Sequence, residues 1–89
     1  MFEAGSTVKV YPNPVRGTVF ALQLGGLQSG KYTVDLYDVL GNKVYSKDFY
    51  NGTAEVVSIN MGKHLANGNY TVKVTGEGQT HQTLMTVAE

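Results

Sequence analysis

The chain has 89 residues, seven basic and seven acidic side chains, eleven glycines and no cysteine. That length holds one thin-cored domain and no second one, and zero net charge with scattered Lys9, Arg16, Lys31, Lys43, Lys47, Lys63 and Lys73 excludes the basic stripe of a nucleic-acid binder. Without cysteine there are no disulfides, thiolate metal sites or cysteine nucleophile, and no apolar run reaches the roughly 18–20 residues that cross a bilayer.

The chain opens on "MFEAGSTVKV", which has neither the basic start nor the apolar stretch of a signal peptide. Residues 1–7 are therefore expected to be a linker or expression remnant, with any export signal upstream, and residues 8–89 to be the domain. "TVKVY" (Thr7–Tyr11) is a first, weak strand candidate, closed by "PNP" at 12–14. "TVFALQL" (Thr18–Leu24) sets Phe20, Leu22 and Leu24 on one face, and glycines follow at 25 and 26. "KYTVDLYD" (Lys31–Asp38) turns Tyr32, Val34 and Leu36 inward and Lys31, Thr33 and Asp35 outward. "KVYSKDF" (Lys43–Phe49) is weaker. "VVSINM" (Val56–Met61) groups Val57, Ile59 and Met61. "MGKHLAN" (Met61–Asn67) has room for one helical turn at most. "NYTVKVT" (Asn69–Thr75) places Tyr70, Val72 and Val74 inward, and Thr71, Lys73 and Thr75 outward. "GEG" at 76–78 reads as a hairpin turn before the last candidate, Gln79–Val87.

A period of two in β-branched and aromatic residues, broken by Gly, Asn and Pro, means half-buried strands. Seven of them with regular turn signals predict an all-β fold, a seven-stranded antiparallel Ig-like β-sandwich. "LQSGKYTVDL" (Leu27–Leu36) and "LANGNYTVKV" (Leu65–Val74) agree at five of ten positions. Leu, a glycine turn, then Tyr opening a strand suits a tyrosine corner, with the ring buried and the hydroxyl on nearby backbone. A corner device used twice is the plain reading, and a duplicated ligand site the alternative.

No constellation for catalysis emerges. His64 and His81 share no metal-ligand spacing with each other or with a carboxylate and read as solvated surface residues. No nucleophile elbow, P-loop or dinucleotide motif is present. Asp35 and Asp38 point to opposite faces of one strand and cannot act as a pair. Asp38 and Asn42 bracket "DVLGN" without EF-hand spacing, so an Asx-type turn explains them. "NGT" (51–53) and "NYT" (69–71) match a glycosylation sequon, the second where strand burial would block it. No cofactor is expected.

Three ordered phrases carry more. "VKVYPNPV" (Val8–Val15), "YTVDLYDVLGNKVY" (Tyr32–Tyr45) and "LANGNYTVKV" together resemble the type A C-terminal sorting domain of the bacterial type IX secretion system. The resemblance runs from about Val8 to Val87. It implies a domain at the C-terminus of an exported protein of Bacteroidetes, one that is substrate and signal rather than enzyme. The implied partners are the outer-membrane translocon, its shuttle protein and a sortase-like surface cysteine peptidase. The parent would pass through the periplasm to the cell surface or medium, with cleavage near Phe2–Thr7 and attachment to an anionic lipopolysaccharide. The motif residues are Tyr11, Pro12, Asn13 and Pro14; Leu36, Tyr37, Asp38, Gly41 and Val44; and Leu65, Gly68, Tyr70, Val72, Lys73 and Val74.

Pro12 and Pro14 are expected to stop edge pairing, Gly41 and Gly68 to occupy turns with positive φ, and Val72 and Val74 to lie in the core. Recognition is expected from the final strand and from exposed Asn13, Asp38 and Lys73. Members of this family often end on a basic residue. This chain ends "TLMTVAE", with none after Lys73. The competing reading is an Ig-like or fibronectin-like binding module for carbohydrate or protein, with Tyr37, Tyr45 and Tyr50 as an aromatic platform. Either way a small sandwich has open edges, so a tendency to dimerise through edge strands is expected.

Overall fold

A computed structural model describes residues 7–25, 27–52 and 56–89. Seven strands form: β1 (Thr7–Tyr11), β2 (Val19–Gly25), β3 (Gly30–Tyr37), β4 (Lys43–Asn51), β5 (Val56–Asn60), β6 (Gly68–Gly76) and β7 (Gln79–Val87). Each expected strand is present, with ends moved by a residue or two. β3 stops at Tyr37 because Asp38 already belongs to the turn. Residues 61–67 are a non-helical connection.

Two antiparallel sheets have the orders β1-β2-β5 and β4-β3-β6-β7. β4 lies beside β3 rather than beside β5, so the Ig-like sandwich divides three and four. The inward faces are those the alternation selected. Val8, Val10, Phe20, Leu22, Leu24 and Ile59 from one sheet meet Tyr32, Val34, Leu36, Tyr70, Val72, Val74, Met85 and Val87 from the other, all buried. Each such side chain contributes about 1.5–3 kcal/mol by leaving water. On this face Tyr32 stacks on Phe49, its register partner, with ring centroids 5.9 Å apart.

The β6–β7 hairpin closes at Glu77 and Gly78, both left-handed (φ 50° and 73°), so this is a type I′ turn. The Tyr32 ring lies over Gly76, its partner across the β3–β6 ladder, where a Cβ would run into it.

The outward face of the larger sheet departs from expectation in one respect. Asp35 is 9% exposed although its side chain points away from the core. β3 is an inner strand, and Ser46 and Lys73 flank Asp35 on the neighbouring strands. Ser46 donates to its carboxylate at 2.5 Å and Lys43 approaches to 3.9 Å. Thr33 and Asp48 form a second such pair at 2.7 Å.

Candidate recognition surface

The repeated phrase builds the same object twice. The Tyr32 hydroxyl donates to the Gln28 carbonyl at 2.7 Å, and the Tyr70 hydroxyl to the Ala66 carbonyl at 2.6 Å. Both reach back four residues. Gly30 and Gly68, two residues before each tyrosine, have φ of 154° and 153°. Leu27 and Leu65, which open the two phrases, pack against the core from its rim. These are tyrosine corners, so the first copy has a structural purpose of its own. Burial raises the pKa of the Tyr32 hydroxyl, and the nearby Glu77 carboxylate adds to the effect. Burial also raises that of Tyr45.

The phrase "YDVLGN" makes the β3–β4 turn. Asp38 Oδ1 accepts from the Leu40 and Asn42 amides at 3.0 and 2.9 Å, and Oδ2 from the Asn42 side chain at 3.4 Å. Backbone bonds between Asp38 and Asn42 and between Gly41 and Asp38 close it further. Gly41 takes φ 87°. Hydrogen bonds, led by that from the Asn42 amide, lower the Asp38 pKa. N–H donors occupy the carboxylate where a cation would need further oxygens, so the geometry is an Asx turn. The turn holds Val39 and Leu40 out in solvent, 78% and 82% exposed. β3 also carries an irregularity between Leu36 and Tyr37 just before the turn.

"YPNPV" carries the chain from one sheet to the other. Tyr11 ends β1, its hydroxyl donating to Gln23 at 3.0 Å. Val15, fully buried, forms a parallel bridge to Val87. Its amide donates to the Thr86 carbonyl at 2.7 Å, and its carbonyl accepts from the Ala88 amide at 3.1 Å. Asn13 works between these, accepting from the Thr86 amide at 3.0 Å and donating to the Leu84 carbonyl at 3.5 Å. Pro12 and Pro14 thus end the pairing of β1, as expected. In addition, the segment they frame is laced to the outer edge of β7.

The motif residues therefore divide. Leu36, Tyr70, Val72 and Val74 are buried, and Val44 and Leu65 pack half-buried against them. Gly41 and Gly68 supply positive φ. Of the three residues expected to be exposed, only Asn13 is fully so, and its carboxamide is bound to β7. Asp38 and Lys73 are half-buried: Asp38 by its own turn, Lys73 because β6 is an inner strand. Tyr11, Pro12 and Pro14 remain exposed, and Tyr37 is half-exposed.

The aromatic platform does not form. Tyr45 pairs across from buried Leu36 on the inward side, and its hydroxyl donates to the Asn60 carbonyl at 3.1 Å. Tyr50, five positions along the same strand, faces out. The first sequon begins at Asn51, which is buried, and its Thr53 lies outside the described residues. In the second, Asn69 is exposed rather than buried, but its side chain accepts from Thr86 at 3.0 Å.

Among the described residues the His81 ring hydrogen-bonds only with Gln79. His64 has a partner that spacing did not reveal: its Nδ1 lies 2.8 Å from Glu89 Oε2, and the hydrogen bond lowers the Glu89 pKa. The Glu89 amide donates to Asn67 at 3.0 Å, and the Gly17 amide to Glu89 at 3.3 Å, so the last residue is tied on three sides. Among the described residues no three His, Cys, Asp or Glu side chains are placed to hold a metal, and no helix is long and apolar enough to cross a membrane.

No curated protein sequence matches the chain. A family model described as the secretion system C-terminal sorting domain matches residues 9–87. That span runs from within β1 to the end of β7 and takes in the lace, the Asx turn and the second tyrosine corner. The chain therefore belongs to the secretion system C-terminal sorting domain family, as a type IX sorting signal whose parent is a secreted or cell-surface protein engaging the type IX machinery.

Proposed function

We propose that the type IX machinery reads this domain as a folded sandwich. The observation behind this is how the motif residues are spent. Leu36, Tyr70, Val72 and Val74 fill the core, Gly41 and Gly68 shape turns, and the polar groups of Asn13, Asp38 and Tyr70 bond to this chain's own backbone. A sequence pattern of this kind preserves a shape more than a list of exposed contacts. In this reading the parent reaches the periplasm, and the shuttle protein and outer-membrane translocon engage residues 8–89. A surface cysteine peptidase then cuts just before β1, near Phe2–Thr7; residues 1–6 lie outside the described structure. The parent is joined to an anionic lipopolysaccharide, and the domain is substrate and signal, not catalyst. Direct contacts fall to the side chains that the motif surface leaves exposed or half-exposed: Tyr11, Pro12, Pro14, Tyr37 and Lys73, with the outer face of β7.

The test is to fuse residues 7–89 to a periplasm-directed reporter in a bacterium that carries the system. The reporter is expected at the cell surface or in the medium. Retention in the periplasm contradicts the reading.

A further inference from the structure

Each of the two sheets ends in two edge strands, and an unprotected edge invites pairing with another chain. The four edges are not equally guarded. β1 and β5 are five residues long, and β1 carries exposed Lys9. β4 has nine residues but includes Lys43, Lys47 and Asp48, all exposed. β7 also has nine residues, "QTHQTLMTV", and carries no Asp, Glu, Lys or Arg. It is long and uncharged, and Leu84 stands 69% exposed on it. By the usual rules it is the edge most open to strand addition.

Against that edge lies the Asn13 carboxamide. Its Oδ1 and Nδ2 meet the Thr86 amide and the Leu84 carbonyl as the peptide group of a neighbouring strand would. Val15 completes the pairing at Thr86 and Ala88. Pro12 and Pro14 on either side of Asn13 have no N–H, so the segment pairs with β7 without offering a full edge of its own. A charged side chain would also guard an edge. Here the guard is a carboxamide between two prolines.

We propose that Asn13, framed by Pro12 and Pro14, is an edge cap. It positions the last turn of pairing on β7 and keeps β7 of a second copy from adding there. The cap occupies the outward backbone groups from the Leu84 carbonyl to the Ala88 amide. The outward amides of Thr80 and Gln82, by alternation along the strand, have no hydrogen-bond partner among the described residues. Losing the Asn13 bonds would lengthen the free edge from Gln79 up to the Thr86 amide, with Val15 still holding the Thr86 carbonyl and the Ala88 amide, a stretch long enough for a self-complementary antiparallel pair about a two-fold axis.

The experiment is amide exchange read residue by residue, with sedimentation of the same samples. In the unaltered domain the Thr86 and Ala88 amides should exchange at least about tenfold more slowly than the Gln82 amide, and equal rates overturn the proposal without any variant. In Asn13→Ala the Thr86 amide should lose about tenfold of its protection while β2 and β3 amides hold. Sedimentation should change from a monomer, in place of the edge-strand dimer expected from the sequence, to a concentration-dependent dimer. Adding Leu84→Lys to Asn13→Ala should restore the monomer by placing a charge on the opened edge. An Asn13→Ala protein that keeps its Thr86 protection, or loses it and stays monomeric, overturns the proposal. So does a dimer that survives Leu84→Lys. None of these readouts depends on secretion, so they stand apart from the sorting assignment.

Discussion

Two tyrosine hydroxyls do much to fix how the loops enter the sandwich. Tyr32 and Tyr70 each bury a ring and hold a carbonyl four residues back. Tyr32→Phe and Tyr70→Phe should each lower unfolding free energy by about 1 kcal/mol, since each removes a part-buried hydrogen bond. Denaturant titration measures this, and the two losses should add because the corners are separate. Tyr32 also carries a pH signature. Its pKa is raised above 10.0, so the folded domain holds the proton that the unfolded chain releases first. Its stabilising share is complete below about pH 10 and is lost as pH rises through the raised value. Melting temperature should fall as pH rises past about 10, and less steeply in Tyr32→Phe. Asp38 goes the other way. Its donors hold its pKa below 3.8, so its turn persists on acidification until pH falls through that lower value. Titration followed by NMR should place Asp38 below the ordinary carboxylate range, and a value at or above 3.8 would contradict the Asx geometry.

At the scale of strands and turns, the alternating pattern carried most of the architecture. Phe20, Leu22, Leu24, Val34, Leu36, Val72 and Val74 are buried where a period of two put them, because each strand buries one face. What the period does not encode is what lies across the ladder. Asp35 reads as a solvent residue along its strand, yet Ser46 and Lys73 flank it from the adjacent strands. The Val15–Val87 bridge and the His64–Glu89 contact join distant positions through tertiary geometry alone. For the motif residues, the sequence was enough to place the glycines and core valines. It was not enough to show that the Asn13 side chain acts as a piece of strand. The β6–β7 turn offers a test at this scale. Glu77 sits at φ 50°, a conformation that asparagine adopts more readily than glutamate. Glu77→Asn should stabilise the domain by a few tenths to about 1 kcal/mol, seen as a higher melting temperature. A lower one would mean that the Glu77 side chain, which packs over Gly30, matters more than the turn.

For the molecule as a whole, 89 residues around a thin core leave little stability to spare. Leu36→Ala removes a fully buried side chain and should cost about 2–5 kcal/mol, a large part of what a domain this small has. If the folded sandwich is the signal, such losses must appear as export losses. Changes that spare the fold should matter only where they touch the surface that is read. The measurement that bears on this most directly is the surface-exposed fraction of a periplasm-directed reporter fused to residues 7–89, compared with the same fusion carrying Leu36→Asp. That substitution places a charge in the core and should unfold the domain while leaving every exposed motif residue in the chain. The intact fusion should reach the surface and the Leu36→Asp fusion should stay in the periplasm. Equal export of the two would show that the machinery reads a linear stretch of sequence, and would contradict recognition of the folded sandwich.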